Sequence, residues 1–318
     1  MRARYATSSL HPHVRAIMAE TAEQDPFCAV RAKTRELVAQ YHQMFGEPPP
    51  FNKKALASYR GLRWSDDDPC FSSDAEIAPE ANGAVVLRVN QNRPLSRQRF
   101  SIGHEIGHTM FPEYELAVRC RNATERMWAD PADLLETLCD VSASEILFPE
   151  PWFHERIAAA TWSASMIADI ANEYQASREA TVRRLLDIHT EPLAAVIFSW
   201  KLKPLEQRAV RRNRQQLPIS ADLAPVAPAP MLRVDYAILN DAFEKHCVDH
   251  IPKDKSVPSD GPIHQASVSL SSQDGLCSLD FGTLSGRFTV HALPIFTSER
   301  GVGPDGACSV LAVIRPSN

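Results

Sequence analysis

The sequence predicts an α+β protein built in two parts, a mainly helical first part carrying a small sheet and a strand-rich second part. Three observations carry that reading. Apolar residues keep helical spacing through most of the chain up to Asp187, short β-type runs take over after Pro192, and a basic stretch leading into Leu223-Ala-Pro-Val-Ala-Pro-Ala-Pro230 lies where the texture changes. A chain of 318 residues has material for two cores, and the division is placed between residues 1–190 and 191–318.

From about Val14 to Phe45, the residues Val14, Ile17, Met18, Val30, Leu37, Val38 and Tyr41 recur at helical spacing, interrupted at Asp25-Pro26 and ended by Gly46 and three prolines. AVVLRV at 84–89 reads as a buried strand, and Asn90 to Pro94 as the turn into a helix that begins near Ser96 or Arg97. A second long helix fits Pro131 to Phe148. It has a proline in its first turn, Pro149 as its stop, and Leu134, Leu135, Leu138, Val141 and Ile146 on its apolar side. Two further helices, around Ser163–Tyr174 and Arg178–Asp187, form a helix-turn-helix-like pair within 163–187. In the second part, AAVIFSW, LRVDYAIL, ASVSL, CSLDF, RFTVHALPIF and CSVLAVI read as strands of an antiparallel sheet, with one helix near Asp241 to Val248.

Hydrophobic residues make up 44% and charged residues 23%, the proportions of a folded globular protein and not of a disordered or fibrous one. A formal charge of -5 and a pI near 6.1 leave nucleic-acid binding to local patches such as Lys201, Lys203, Arg208, Arg211, Arg212 and Arg214. No window reaches the ~18 apolar residues of a membrane helix, and no apolar region follows the basic N-terminal residues, so neither membrane insertion nor secretion is expected. The seven cysteines are scattered, odd in number and include no CxxC pair, which points to the cytoplasm and against a disulfide framework.

The chemistry concentrates in His104-Glu105-Ile106-Gly107-His108. Histidines four apart lie on one face of a helix, where both imidazoles reach one cation, and Glu105 lies on the same side, close enough to take a proton from a metal-activated water. That is the arrangement a metallopeptidase requires. Phe100, Ile102, Ile106, Met110 and Phe111 make the helix substantially apolar, so the two histidines need partners that compensate their burial. A catalytic zinc takes three protein ligands and keeps one position open, so a third ligand is expected from another element. Glu136 on the following helix meets that demand, and Asp140, one turn further, is placed to accept the second N–H of a ligating histidine and fix its tautomer. Glu113, Glu115, Glu125 and Glu145 compete for the third position, but of the five only Glu136 is followed by an acid four residues on.

The segment from Glu136 through Cys139-Asp140 to Phe148-Pro149 resembles the pattern of the ImmA/IrrE metallopeptidases, a Glu, then Ala-Asn, small residues and Leu-Leu-Met-Pro. RQRFSIGHEIGH at 97–108 is similar to the family's Phe-Thr-x-x-His-Glu-x-x-His, and the order of strand, histidine helix, glutamate helix and paired helices extends the resemblance over about residues 30–190. Cys139-Asp140 departs from the usual Ala-Asn, and Ser142 stands where an aromatic residue is common. The resemblance implies a zincin-like fold in which His104, His108 and Glu136 hold Zn2+ and Glu105 is the general base. It also implies cleavage or other inactivation of a helix-turn-helix repressor after DNA damage or another stress. Some members, the CapP-type peptidases, stand beside CBASS anti-phage operons. The second part resembles, in layout alone, the GAF-like sensor domains of IrrE- and CapP-type members, which implies a small-molecule, nucleotide or single-stranded nucleic-acid activator there.

Tyr114 and His154 are candidate oxyanion stabilisers by residue type and position. Cys120, between Arg119 and Arg121 and between the two metal-binding segments, is a candidate inhibitory fourth ligand, since a thiolate in the open position displaces the water that Glu105 has to activate. Two other classes of function compete with peptidase action. One is a DNA-binding regulator using 163–186 with Arg178, Arg183 and Arg184, together with the arginines at 208–214; the other is an anti-repressor that captures its partner without cutting it. Glu105 favours catalysis, because a purely structural zinc has no use for a base beside an open position.

Overall fold

The structure is a computed structural model that describes residues 10–65, 73–112, 114, 119–121, 131–215, 228–248, 250–296 and 303–317. Its contacts separate into two compact units, Met1–Ala160 with Asp169–Thr181, and Thr161–Ala168 with Val182–Asn318.

The first unit opens with α1 (Pro12–Thr21) and α2 (Pro26–Phe45). The expected break between them is built by Asp25, whose carboxylate accepts from the backbone N–H groups of Phe27 and Cys28 at 2.7 and 3.1 Å, while Pro26 occupies the first turn, where its missing N–H is not needed. Gly46, at φ 68°, closes α2 in the left-handed conformation that favours glycine. After α3 (Lys53–Tyr59) come β1 (Leu62–Trp64), β2 (Ala75–Pro79), β3 (Val85–Val89), α4 (Leu95–His108) and β4 (Arg119–Arg121). The four strands form a mixed sheet in the order β1-β3-β2-β4, with β1 parallel to β3 and the other pairings antiparallel. The chain continues through α5 (Pro131–Leu147), α6 (Glu150–Ala158), α7 (Ala164–Glu173) and α8 (Arg178–Ile188).

Helix α4 is fastened to the sheet at its start. Asp74, buried at the entrance to β2, receives Arg93 Nε and Arg97 Nε at 2.8 Å each, and the Gln98 amide donates to the carbonyls of Gln91 and Arg93. Ile102 and Ile106 then pack into one apolar cluster with Leu37 and Tyr41 of α2, Ile77 of β2, Leu87 of β3 and Ile146 of α5. A second cluster joins Val14 and Ile17 of α1 to Val30 of α2 and Leu134, Leu135 and Leu138 of α5. Helix α5 thus buries two sides, which explains its dense apolar pattern.

The second unit contains β5 (Ala194–Lys201), α9 (Pro204–Gln215), β6 (Met231–Leu239), α10 (Asp241–His246), α11 (Pro262–Ser269), β7 (Gln273–Asp280), β8 (Ser285–Ile295) and β9 (Ser309–Pro316). Its five strands form an antiparallel sheet in the order β6-β5-β9-β8-β7. Val196, Phe198, Val290 and Ala312 pack against Phe243 of α10 and Ile263 and Ala266 of α11.

One expectation is corrected here. ASVSL is not a strand: its first four residues close α11, where Pro262 sits in the first turn and Ile263, Ala266 and Ser267 share one buried face at helical spacing. The basic run also folds, as α9, with Arg208, Arg211 and Arg212 exposed. Among the described residues, no helix is long and apolar enough to cross a membrane.

Asn240 ties three elements of this unit together. Its side-chain oxygen accepts from Leu193 N at 3.0 Å and Phe243 N at 2.9 Å, and its amide donates to the carbonyls of His189 and Glu191 at 3.1 and 2.7 Å. Asn240→Ala removes a helix cap and leaves buried backbone groups without a partner, and is expected to destabilise the protein by about 2–4 kcal/mol. Asn240→Asp should recover only the two accepted bonds and fall between, as read by urea unfolding of the second unit.

Candidate metal centre

The second half of α4, from Ser101 to His108, is buried throughout. Two glycines make this possible. A Cβ at Gly103 would lie 3.1 Å from Cα of Ala143, and one at Gly107 would lie 3.1 Å from Cα and 3.2 Å from the carbonyl oxygen of Cys139. The backbones of α4 and α5 therefore approach as closely as glycine permits, and the side chains flanking that line converge.

Glu136 bridges the two histidines. His104 Nε2 lies 3.1 Å from one of its carboxylate oxygens and His108 Nε2 3.4 Å from the other. The opposite ring nitrogens meet α5 one turn further on, His104 Nδ1 at 2.8 Å from Asp140 Oδ1 and His108 Nδ1 at 3.3 Å from Cys139 Sγ. The imidazoles stand edge to face, with centroids 4.9 Å apart. His104, Glu105 and His108 are buried, whereas the side chains of Glu136 and Asp140 are 25% and 34% exposed, so solvent reaches the cluster from the α5 side.

Burial by itself lowers the pKa of His104. The hydrogen bonds to Asp140 and Glu136, together with the charge of Glu105, outweigh it and raise the pKa to about 9. Three carboxylates thus act on buried imidazoles, a negative surplus that a proton partly compensates. A divalent cation meets the same surplus, and two imidazole Nε2 atoms facing one carboxylate are a donor set that fits zinc.

A second set can be drawn from the same helices, since His104, His108 and Cys139 offer ligand atoms within 4.8 Å of one another. The sets differ in their third member. Both Nε2 atoms face Glu136, one at each carboxylate oxygen, whereas Cys139 meets His108 at Nδ1.

The structure places the remaining candidates elsewhere. Glu145 is buried and ion-paired with Arg35 of α2 at 3.0 Å. Glu113, Glu115 and Glu125 lie outside the described residues. Tyr114 is partly buried against the cluster around Tyr41 and Ile106 and lines a cleft of about 410 Å³ with Arg60, Met110 and Phe111. His154 sits on α6, 51% exposed, with Glu150 at 3.7 Å. Cys120 lies on β4, opposite Glu76 in the register with β2; its side chain is outside the described residues. Sequence reasoning missed Cys139 as a partner of His108. Its spacing of three from Glu136 and one from Asp140, on the same helical face, was the available signal.

The fold and the cluster define an α+β protein whose buried histidine pair, with Cys139, forms a group that could hold a metal ion. Residues 65–186 match the family model of the IrrE N-terminal-like domain. It is 26% identical over 218 residues to the radiation response metalloprotease IrrE of Deinococcus radiodurans, a match that covers 65% of this chain. The chain spans 61% of the length of that relative. A solved structure of a Mycobacterium tuberculosis transcriptional regulator aligns at 10% identity over 98% of this chain and 78% of that one, with a TM-score of 0.45, too low to define a shared fold.

Because the atoms facing Gly107 are mostly backbone, they cannot move aside cheaply. Gly107→Ala is expected to cost about 1–3 kcal/mol through overpacking, and to weaken metal binding by shifting Glu136 away from the histidines. Thermal unfolding and zinc competition titrations check both effects; a variant with unchanged Tm and affinity would mean that the helices tolerate a wider crossing.

Proposed function

We propose that the chain is a zinc-dependent endopeptidase that cuts a cognate helix-turn-helix repressor in response to a stress such as DNA damage or phage infection. Residues 1–190 form the peptidase domain in this reading and 191–318 a GAF-like sensor domain. The observation that carries it is the pair of Nε2 atoms facing the two oxygens of Glu136 beside the buried Glu105. The name of the Deinococcus relative, a radiation response metalloprotease, supports both the chemistry and the stress setting.

Bound zinc supplies Lewis acidity, polarising a water molecule and a peptide carbonyl. The chain's own residues do the rest. His104, His108 and Glu136 hold the ion, and Asp140 accepts from His104 Nδ1–H and so keeps Nε2 available as the ligand atom. Glu105 takes the proton from the attacking water and delivers it to the leaving amine. Of the two oxyanion candidates, Tyr114 is favoured because it lines the cleft at the C-terminal end of α4, while His154 is exposed on α6. Cys120 is proposed as the inhibitory fourth ligand of the resting enzyme, released when a signal moves its segment.

The DNA-binding reading loses one of its residues, since Arg184 is buried and paired with Asp187. The exposed arginines of α9 agree better with a nucleic-acid activator of the second part, with a small molecule as the other candidate ligand.

One tightly bound zinc per chain is expected, lost in His104→Ala, His108→Ala and Glu136→Ala. Full occupancy in Glu136→Ala would reassign the third ligand. If a small helix-turn-helix protein is encoded by the neighbouring gene, incubation of the two with zinc should cleave that protein, Glu105→Gln should keep zinc and lose cleavage, and Cys120→Ala should cleave without a stimulus. Partner inactivation that survives Glu105→Gln would favour capture without cutting, and equal resting rates for wild type and Cys120→Ala would remove the switch.

A further inference from the structure

We infer that Cys139 is the positioning residue of His108, holding its ring through Nδ1 as Asp140 holds the ring of His104. The inference rests on the reading of His104, His108 and Glu136 as the ligand set, and the experiment below separates the two.

A neutral imidazole that ligates through Nε2 carries its proton on Nδ1, and that N–H needs an acceptor if the ring is to keep its tautomer and orientation in a buried site. His104 has the Asp140 carboxylate at 2.8 Å. His108 has Cys139 Sγ at 3.3 Å, within the reach of a hydrogen bond to sulfur. The arrangement follows from the period of α5. Residues 136, 139 and 140 share one helical face, so one carboxylate spans both Nε2 atoms while its two neighbours one turn on each take an Nδ1. The thiol is fully buried, and the close helix crossing, where a Cβ added at Gly107 would lie 3.1 Å from the Cα of Cys139, fixes where the short side chain starts.

The sulfur does not act as a ligand in this geometry. It faces the Nδ1 edge of His108, and an ion bound at Nε2 lies beyond a different edge of the ring. A thiol is also a weaker acceptor than a carboxylate. The two histidines are therefore held unequally, His104 by a charge-assisted bond and His108 by a softer one, which makes His108 the more easily released ligand. This chain carries a sulfur where the family pattern has alanine, so the hold on His108 is a property of this sequence.

The test uses the full-length metal-free protein titrated with Zn(II) and with Co(II) against a chromophoric chelator, for wild type, Cys139→Ala, Cys139→Ser and Glu136→Ala. Cys139→Ala removes one sulfur and adds no volume beside Gly107, and thermal unfolding of the metal-free chains confirms that it folds. The expected result is a roughly 10- to 100-fold loss of affinity in Cys139→Ala, substantial recovery in Cys139→Ser, whose hydroxyl is again an acceptor, and a wild-type Co(II) spectrum without a sulfur-to-metal charge-transfer band. Unchanged affinity in Cys139→Ala overturns the inference. So does a charge-transfer band that disappears in Cys139→Ala, because it puts the sulfur on the metal. If that band is accompanied by full metal binding in Glu136→Ala, the ligand set itself fails and the His-His-Cys set replaces it.

Discussion

The contact on which the rest of the first unit depends is the crossing of α4 and α5 at Gly103 and Gly107. Every distance in the cluster is set by it, since the histidines ride on one helix and Glu136, Cys139 and Asp140 on the other. Glycine on α4 and small residues on α5 let the backbones meet, and the functional side chains then span the remaining gap from either side of the contact line. The surrounding elements hold this crossing in place. Asp74 pins the start of α4 through Arg93 and Arg97. From the far side of α5, α2 contributes Thr34 to Ser142 at 3.1 Å and Arg35 to Glu145 at 3.0 Å.

Burying this many ionisable groups is costly unless they compensate one another. The cluster does so in layers. Glu136 and Asp140 keep partial contact with water, which limits their desolvation, while His104 and Glu105 are removed from it. Asp140 therefore serves two ends at once, orienting His104 and placing negative charge beside it. A cation at the Nε2 atoms would bind both histidines and Glu136 across the helix crossing, so metal binding and the stability of the α4–α5 pair are coupled in the sense that each favours the other.

The long helices were legible because their apolar period persists over several turns, and the histidine pair because helical geometry makes a spacing of four meaningful. The break at Asp25-Pro26 was legible as capping chemistry. What escaped was short or balanced in pattern. The strands β1 and β4 have three residues each, too few for any period, and α3 is one helix of seven residues after a proline run. ASVSL misled because alternating serine imitates a strand, while its true period appears only when Pro262 and Ile263 are read with it. Cys139 escaped for another reason. A buried cysteine normally reads as a small hydrophobe, and its direction toward Nδ1 follows from the depth of the crossing, which two glycines permit but no local pattern announces.

The helix-turn-helix-like pair illustrates how a familiar motif can have a use in the fold that does not involve DNA. The first turn of α7 belongs to the second unit and the rest of that helix to the first, and α8 divides the opposite way. The end of α7 in the second unit is held there by specific chemistry: Asp274 of β7 accepts the backbone N–H of Ala164 at 2.7 Å and pairs with His291 of β8 at 2.6 Å. At the turn, Tyr174 packs against Phe148 and Phe153 within the first unit. Arg184 is buried beside Asp187, and Ile167, Ile170 and Ala171 of α7 and Val182, Leu185 and Leu186 of α8 are buried as well, so the apolar faces of both helices are committed to packing.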